Sequence, residues 1–368
     1  MARCRAGVFN GDGTFEVREF AVPHPPPGGA VLAVEAVGLC ASDVAQLHGH
    51  KHVPGEVSPL VPGHEIVGRV HELAPDSQLG VAVGARVGVD LVRRCGICEV
   101  CVTGSPYCPK MQLYGYTQGL DVRSGLHGGY GEYMEIMPNT NLVPLTDTVS
   151  ARELSLFEPL ANVVNWFGGV RLQAGESVVI QGPGHMGLIC AAYAKMLGAG
   201  TVIVTGRSND ALRLEAAHRV GADFTIDVDA ESAIERVAQI TGGAMADVTV
   251  DLTDAAAPVG ACLELVRQGG RVLWAGLKNM TPVTMISDLV PLKGLTVVGG
   301  AGSTAQSMRT TGEVLNSGAY PTKALLGEVF TLDTLDRAIA LLTRSDPNHD
   351  AVRVSLVHGH ALDQGINR

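Results

Sequence analysis

S-V-V-I-Q-G-P-G-H-M-G, residues Ser177–Gly187, is the stretch that decides the fold of the sequence around it. It begins with a short apolar run of the kind that forms a buried parallel strand, and the run ends in a G-x-G-x-x-G turn at Gly182, Gly184 and Gly187. A helical pattern and a second apolar run, 201–205, follow the turn. This order of strand, turn, helix and strand predicts a βαβ unit.

The glycine turn suits a dinucleotide cofactor. Gly182 permits a tight turn, Gly184 lets the backbone approach a pyrophosphate, and Gly187 lets the helix pack close to the strand. His185 and Met186 lie between the glycines, where the helix N-terminus offers N–H groups to phosphates. Glycines also mark ordinary turns, and this chain has 46 of them. The setting between a strand and a helix nevertheless favours a cofactor site at these five residues.

The sequence changes character twice along its 368 residues, a length that allows two domains. Residues 1–158 are rich in glycine, proline and short β-type runs, which predicts a mostly β domain. Residues 159–301 alternate six strand-like runs with helical stretches, which predicts an α/β domain with a doubly wound, six-stranded parallel Rossmann sheet. Residues 302–368 hold one helix and one strand, and we expect them to complete the first domain. The predicted strands are 178–181, 201–205, 223–227, 247–252, 271–276, 295–300 and 351–357, and the predicted helices are 188–198, 210–220, 230–240, 255–267 and 332–344.

Composition and charge exclude several classes of protein. Charged residues make up 17% and hydrophobic residues 46% of the chain, which is typical of a globular protein and not of a disordered one. The formal net charge of −10 argues against nucleic acid or an anionic membrane as the main partner. No export signal follows Met1, and no apolar run reaches about 18 residues. We therefore expect a soluble, cytoplasmic protein that binds a small molecule.

Four of the eight cysteines are crowded into one short segment. Cys95, Cys98, Cys101 and Cys108 follow the spacing C-x2-C-x2-C-x6-C, and four such thiolates can surround one Zn²⁺ as a tetrahedron with no open position. Free or disulfide-bonded cysteines are the alternative, but crowding in a long chain without an export signal favours a metal. The segment therefore predicts a structural zinc site.

A second set of candidate metal ligands is dispersed along the chain. It comprises Cys40 in G-L-C-A-S-D, His64 and Glu65 in P-G-H-E, and Glu158 in F-E-P-L. A cysteine, a histidine and carboxylates can hold a catalytic zinc and leave one position for a substrate. Taken singly, Cys40 could be a core residue, His64 a turn histidine and Glu158 a carboxylate at a helix start. Spacing alone leaves both interpretations open.

The order of these motifs resembles the zinc-dependent medium-chain alcohol dehydrogenases, and within them most closely the polyol (sorbitol) and threonine dehydrogenase branch. The resemblance runs from G-x-C-x-S-D through P-G-H-E, the cysteine segment, H-G-G-Y-G-E-Y and E-P-L to G-x-G-x-x-G, and so covers essentially the whole chain. It implies that Cys40 and His64 bind a catalytic zinc, and that Glu65 and Glu158 bind it directly or through water. It also implies a GroES-like catalytic domain, a cleft between two domains, and assembly into homodimers or homotetramers.

Ser42 matches the hydroxyl that accepts the substrate proton in that family. Its alternative is a hydroxyl that caps the helix begun by Asp43. Many relatives pass the proton to solvent through a histidine five residues after the zinc cysteine, where this chain has Ala45. His48 could substitute, as could His50, although either could equally be a plain surface histidine.

The end of the second strand of the βαβ unit bears on the choice of cofactor. An NAD site usually places Asp or Glu there to bind the ribose 2′-hydroxyl. This chain has Gly206 at that position, followed by Arg207 and Ser208, which can bind the 2′-phosphate of NADP. The sequence therefore predicts a preference for NADP, with use of NAD or of both as the alternative. Ala275, near the end of the fifth predicted strand, and Leu277, just after that strand, are further candidates for contact with the cofactor.

Together these features predict an enzyme with two zinc ions per subunit that transfers hydride between a secondary alcohol or polyol, or its ketone or aldehyde, and NAD(P). One alternative is a zinc-free carbonyl or quinone reductase of the same superfamily, but such proteins lack the cysteine segment and the Cys–His pair. The other is a nucleotide-binding protein without turnover. Ala45 hints at lost chemistry, whereas the intact Cys40, Ser42 and His64 argue against it.

Overall fold

The computed structural model describes residues 2–51, 53–103, 108–343 and 350–359. Its strands, in chain order, are β1 (Arg3–Phe9), β2 (Phe15–Ala21), β3 (Ala30–Leu39), β4 (Glu65–Leu73), β5 (Arg86–Val89), β6 (Val92–Arg93), β7 (Gln112–Leu113), β8 (Tyr133–Ile136), β9 (Leu142–Pro144), β10 (Ser177–Gln181), β11 (Thr201–Gly206), β12 (Phe224–Asp227), β13 (Ala246–Asp251), β14 (Val266–Trp274), β15 (Thr296–Gly299), β16 (Glu328–Phe330) and β17 (Val354–Val357). Its α-helices are α1 (Ala41–Leu47), α2 (Glu99–Val102), α3 (Ala151–Leu154), α4 (Phe157–Val170), α5 (His185–Met196), α6 (Ala211–Arg219), α7 (Ala233–Ile240), α8 (Ala257–Leu265), α9 (Leu289–Lys293), α10 (Ala305–Asn316) and α11 (Leu335–Leu342).

The chain divides into two compact units. The first comprises Met1–Glu158, Met308–Thr322 and Leu326–Arg368, and the second comprises Pro159–Ser307 and Lys323–Leu325. The chain leaves the first unit within the first turn of α4 and returns to it within α10. Near its C-terminus it adds β17 to the first unit, where β17 pairs antiparallel with β3.

The second unit is built on a parallel sheet of six strands. Their order is β12-β11-β10-β13-β14-β15, which is the order of a doubly wound sheet, with the reversal of direction next to β10. Val178, Val179 and Ile180 of β10 are completely buried, because this strand lies between β11 and β13. The apolar run at the start of the decisive stretch is therefore the centre of the sheet, and the predicted α/β fold of Rossmann type is confirmed.

The four predicted helices of this unit differ from their predicted boundaries by up to three residues, and α7 begins at Ala233, three residues later than predicted. α5 begins at His185, three residues earlier than predicted, because Gly184 is its N-cap and the last glycine of the turn lies inside the helix. Gly198 follows the end of α5 in the left-handed conformation, with a φ of 86°. α8 ends at Leu265, two residues before the predicted end, because β14 begins at the next residue.

Two glycines of the turn are required by their surroundings. Gly182 has a φ of 101°, a left-handed value that disfavours any side chain. A Cβ at Gly187 would lie 1.9 Å from the Gly182 carbonyl oxygen. The first turn of α5 therefore packs directly against the end of β10, which leaves a backbone cradle there that a side chain would fill.

The first unit contains a seven-stranded sheet with β3 near its centre. The sheet runs in the order β16-β17-β3-β4-β5-β9, and β8 also pairs with β3. Its pairs are antiparallel except for β16 with β17. The buried core beneath it includes Leu32, Ile66, Val87, Met134 and Leu356. This arrangement agrees with the mostly β domain that the sequence predicts.

The C-terminal elements are shorter than predicted. The helix expected at 332–344 is a 3-10 turn, Leu332–Thr334, followed by α11, and residue 344 lies outside the described residues. The Thr334 hydroxyl accepts the Thr331 N–H at 3.1 Å, which closes that tight turn. Among the helices of the described ranges, none has both the length and the apolar character needed to cross a membrane.

Candidate active site

The pairing of β3 with β4 brings the dispersed ligand candidates together. The two strands are antiparallel and Gly38 lies opposite Glu65, so the residues after β3 meet those before β4. Cys40 Sγ lies 3.5 Å from His64 Nε2. One ligand atom each from Cys40, His64 and Glu65 forms a group in which all atoms lie within 4.8 Å of one another. All three side chains are buried.

The ionisable groups around His64 are mostly acidic. Burial raises the pKa of the Cys40 thiol, and the Asp43 carboxylate raises it further. Burial by itself would lower the pKa of His64, but the Cys40 thiolate, Asp43 and Glu158 raise it well above its usual value. Asp43 Oδ1 is buried and has no hydrogen-bond partner among the residues that the structure describes. The group therefore has the donor atoms of a zinc site, and a cation held there would stabilise the thiolate of Cys40 and the carboxylate of Asp43, which burial disfavours.

The two glutamates of the predicted ligand set have different surroundings. The Arg353 guanidinium donates to Glu65 Oε2 at 2.5 Å and to the Ser155 carbonyl at 2.8 Å, and the side chains of this ion pair are buried. Glu158 lies in the first turn of α4, is 4% exposed, and stands outside the group of three ligand atoms. The charge of Glu65 is thus paired with that of Arg353, whereas the charge of Glu158 raises the pKa of His64.

Ser42 lies inside α1 and not at its cap. Cys40 is the N-cap of α1, and its backbone N–H donates to Asp43 Oδ2 at 2.8 Å. The Ser42 hydroxyl lies 2.8 Å from Cys40 Sγ and 2.8 Å from the Tyr116 hydroxyl. The Tyr116 hydroxyl lies in turn 3.2 Å from His64 Nδ1, whereas His64 Nε2 faces Cys40. A path of hydrogen bonds therefore joins the predicted proton acceptor to His64.

The two histidines that could replace the missing proton relay are both exposed. His48 is the C-cap of α1 and lies six residues beyond Ser42, which corresponds to about 9 Å along a helix. His50 follows the end of the same helix. The role of His48 in proton transfer stays a prediction.

The four cysteines of the crowded segment converge on one point. The Sγ–Sγ distances are 3.6 Å for Cys95 and Cys108, 3.5 Å for Cys98 and Cys101, 3.8 Å for Cys98 and Cys108, and 3.9 Å for Cys95 and Cys101. Four sulfurs bound tetrahedrally at about 2.3 Å from one zinc stand about 3.8 Å apart. Backbone N–H groups of Ile97 and Cys98 lower the pKa of Cys95 to about 6, whereas desolvation and the neighbouring thiols raise the pKa of Cys101 to about 12. The spacing of the sulfurs therefore fits one zinc ion and no disulfide.

The predicted cofactor residues lie at the carboxyl edge of the six-stranded sheet. Gly182 follows β10, Gly206 ends β11, and Ala275 follows β14. The strands are parallel, so these ends share one edge with the first turn of α5, which contains His185 and Met186. Together with the cradle at the glycine turn, this edge includes the N-terminus of α5, a feature that suits the phosphates of a dinucleotide.

The surroundings of Gly206 leave little space for a side chain. A Cβ at Gly206 would lie 2.7 Å from Pro183 Cγ and 3.0 Å from Leu214 Cδ2. A guanidinium nitrogen of Arg213 lies 4.0 Å from the place of a Cβ on Gly184, so a cation lies beside the turn. The cofactor edge therefore lacks the usual carboxylate on β11 and has arginine close to its helix N-terminus.

Two family models match the two parts of the chain. One described as alcohol dehydrogenase GroES-like domain matches residues 26–147, and one described as zinc-binding dehydrogenase matches residues 186–317. A Mycobacterium tuberculosis protein described as an alcohol dehydrogenase is 33% identical over 355 residues, which cover 92% of this chain and 94% of that protein. The chain belongs to the zinc-binding alcohol dehydrogenases. The GroES-like fold predicted for the first part of this dehydrogenase is thereby confirmed.

Further relatives of this alcohol dehydrogenase bear on its branch. A sorbitol dehydrogenase of Halalkalibacterium halodurans is 30% identical over 330 residues, which cover 89% of this chain and 92% of that protein. A crystal structure described as a zinc-binding dehydrogenase of Sinorhizobium meliloti bound to NADP matches with a TM-score of 0.85 at 25% identity, and the match covers 97% of this chain and 100% of that chain. The predicted resemblance to the polyol branch is confirmed, as is an oxidoreductase function within the alcohol dehydrogenase family.

The sequence did not reveal three other groups of contacts in this dehydrogenase. Tyr116 belongs to none of the quoted motifs. Arg353, the partner of Glu65, lies far from it along the chain and close to the C-terminus. Asp227 ends β12 and Asp229 lies two residues beyond it, and both contact the residues after Gly206: Ser208 Oγ donates to Asp227 at 2.6 Å, and Arg207 Nε donates to Asp229 at 3.3 Å. The repeated Asp at the end of a strand is the local signal that could have shown this last pair.

Proposed function

We propose that this dehydrogenase transfers hydride between a secondary alcohol or polyol, or its carbonyl product, and NAD(P) at a zinc held by Cys40 and His64. The observation that carries the proposal is the buried group of Cys40, His64 and Glu65 beside the Ser42 hydroxyl. A zinc ion bound there would supply a Lewis acid that makes an alcohol easier to deprotonate. The nicotinamide would accept the hydride.

The residues of the first unit have separate roles in this proposal. Cys40 and His64 bind the metal, and Glu65 and Glu158 bind it directly or through water. Ser42 accepts the alcohol proton, because its hydroxyl lies beside Cys40 Sγ. Tyr116 orients Ser42 through their 2.8 Å hydrogen bond, and His48 remains the candidate for release of the proton to solvent.

We propose a second, structural zinc at Cys95, Cys98, Cys101 and Cys108. The Sγ–Sγ distances of 3.5–3.9 Å support it, because they match four sulfurs around one zinc. Four protein ligands would leave no open position for a substrate. A zinc-free reductase would have no use for this group or for the Cys40–His64 pair.

We propose that residues 159–301 bind the dinucleotide, that residues 1–158 with 302–368 form the catalytic domain, and that NADP is preferred over NAD. Arg207 and Ser208 would contact the 2′-phosphate, and the lack of space for an acid at Gly206 removes one source of repulsion. Ala275 and Leu277 would lie along the cofactor, and Leu277 is 69% exposed and so accessible. The NADP bound to a relative of 25% identity supports the same preference.

We propose that the enzyme is a cytoplasmic homodimer or homotetramer. Large apolar side chains are exposed in the segment before β15, the edge strand of the sheet, and they include Met280 at 99%, Ile286 at 63% and Leu292 at 75%. Burial of such a surface against a second copy would be favourable. We expect sedimentation at micromolar concentration to give at least twice the mass of one 38.4 kDa chain, and a purely monomeric protein would contradict the assembly.

Turnover over a panel of alcohols is the experiment that tests the main proposal. Reduction of NADP and NAD would be measured in parallel with secondary alcohols, vicinal diols, sugar alcohols and L-threonine, before and after treatment with a zinc chelator. We expect turnover with at least one diol or sugar alcohol, preference for NADP, loss of turnover on chelation, and its return when zinc is restored.

Two outcomes would contradict the proposal in different ways. Turnover that survives complete removal of zinc would favour the zinc-free reductase. A protein that binds zinc and nucleotide but turns over no alcohol would favour a nucleotide-binding protein that has lost its chemistry, and Ala45 would then be a cause to test first.

A further inference from the structure

The side chain proposed to receive the 2′-phosphate already has an acidic partner. Arg207 Nε donates to both carboxylate oxygens of Asp229, at 3.3 and 3.4 Å, and the Ser208 backbone N–H donates to Asp229 at 3.2 Å. Asp229 lies just after β12, which pairs with β11 so that Gly206 is opposite Asp227. Arg207 and Asp229 remain partly accessible, with 69% and 40% of their side chains exposed.

Other carboxylates nearby fix the backbone of this loop. Asp210 accepts the Arg207 backbone N–H at 3.1 Å. Asp227 accepts the Ser208 hydroxyl at 2.6 Å and the Asp229 backbone N–H at 3.0 Å. Asp227 and Asp210 therefore hold the loop in shape, whereas Asp229 engages the guanidinium itself.

We propose that Asp229 is a specificity-determining residue, which competes with the 2′-phosphate of NADP for Arg207. The inference rests on the proposed binding of NADP at Arg207. A 2′-phosphate that reaches this guanidinium must displace the carboxylate or share the cation with it at short range, where like charges repel. The 2′-hydroxyl of NAD carries no charge and meets no such repulsion. Asp229 thus lowers the affinity for NADP selectively and leaves NAD a usable cofactor.

The test compares the binding of reduced cofactors by variants of the zinc-loaded enzyme. Fluorescence titration gives Kd for NADPH and for NADH with wild type, Asp229→Asn, Arg207→Ala and the double variant. Glu231→Gln is the matched control, since it removes one negative charge from the same loop, where Glu231 faces Arg236 at 4.0 Å. Binding is read without an alcohol, so the result does not depend on turnover.

We expect Asp229→Asn to tighten NADPH about fivefold at low salt and to leave NADH within about twofold, because one neighbouring surface charge is removed. The gain should shrink at high ionic strength. It should also become smaller in the double variant, in which no guanidinium remains to be released and only the direct repulsion between carboxylate and phosphate is lost. Glu231→Gln should leave the ratio of the two Kd values close to that of wild type.

The outcomes separate this inference from the proposal on which it rests. Arg207→Ala should weaken NADPH far more than NADH; if it weakens both equally, the site of the 2′-phosphate has been assigned wrongly. If Arg207→Ala is selective but Asp229→Asn changes neither Kd, Asp229 has no part in specificity and the inference alone is overturned. A gain of Asp229→Asn that persists undiminished without Arg207 would also overturn the competition.

Discussion

Replacing Cys40 by serine should lower kcat/KM for the best alcohol by about a thousandfold, which corresponds to about 4 kcal/mol of transition-state stabilisation. The serine hydroxyl is neutral near pH 7 and binds zinc poorly, whereas a thiolate is a strong ligand. Cys40 also contacts both His64 Nε2 and the Ser42 hydroxyl, so its loss affects the metal and the proton acceptor together. Metal analysis and steady-state kinetics on the same sample would measure the two effects.

Cys190→Ala provides the matched control for that variant. Cys190 is a completely buried cysteine in the second unit, away from both groups of ligands along the chain. We expect it to retain the zinc content and the kcat/KM of wild type. If Cys40→Ser keeps two zinc ions per chain and its full turnover, the catalytic metal does not lie at Cys40.

The second large effect should follow Cys101→Ser, and it should appear in stability rather than in chemistry. Structural zinc sites contribute folding free energy directly, on the order of 10 kcal/mol in isolated zinc-binding peptides. We expect loss of one thiolate to let a chelator remove this zinc at a concentration that wild type withstands. The thermal midpoint should then fall by about 10 °C, as a loss of about 3 kcal/mol would cause in a domain of this size.

Titration with NADPH shows whether Cys101→Ser affects only the first unit. The cysteines lie in the first unit, whereas the proposed cofactor residues lie in the second. We expect Kd for NADPH at 25 °C to stay close to that of wild type, while the thermal midpoint falls. A midpoint equal to that of Cys190→Ala, with zinc retained, would show that the cysteines do not hold a stabilising metal.

Sequence patterns predicted those features whose residues are close together in the chain. The apolar runs that begin at Val178 and Val202 predict the central strands of the sheet, because a buried parallel strand must be apolar on both faces. The cysteine spacing likewise predicts a single zinc site, because all four ligands lie within one segment. The boundaries of α5 were less predictable, since the glycine turn and the helix share Gly187.

Contacts between distant segments were beyond such patterns. Cys40 and His64 meet because Gly38 pairs with Glu65, a register that depends on the packing of the whole sheet. The resemblance to a known family predicted that Cys40 and His64 bind one metal, but it did not predict a role for Asp229. An acidic residue in contact with Arg207 is not part of the expected nucleotide site. Asp229 reaches Arg207 because β11 pairs with β12.

The crowding at Gly206 limits how this enzyme could change its cofactor during evolution. A switch to strict use of NAD commonly requires an acid at this position, but any side chain there would meet Pro183 at 2.7 Å and Leu214 at 3.0 Å. The first mutation on that route would therefore be damaging unless its neighbours had changed already. We expect an easier path through residues such as Arg207 and Asp229, whose side chains are exposed and have room to change. Differences in cofactor use among its near relatives should accordingly be sought in the loops after β11 and β12, and less often at the glycine itself.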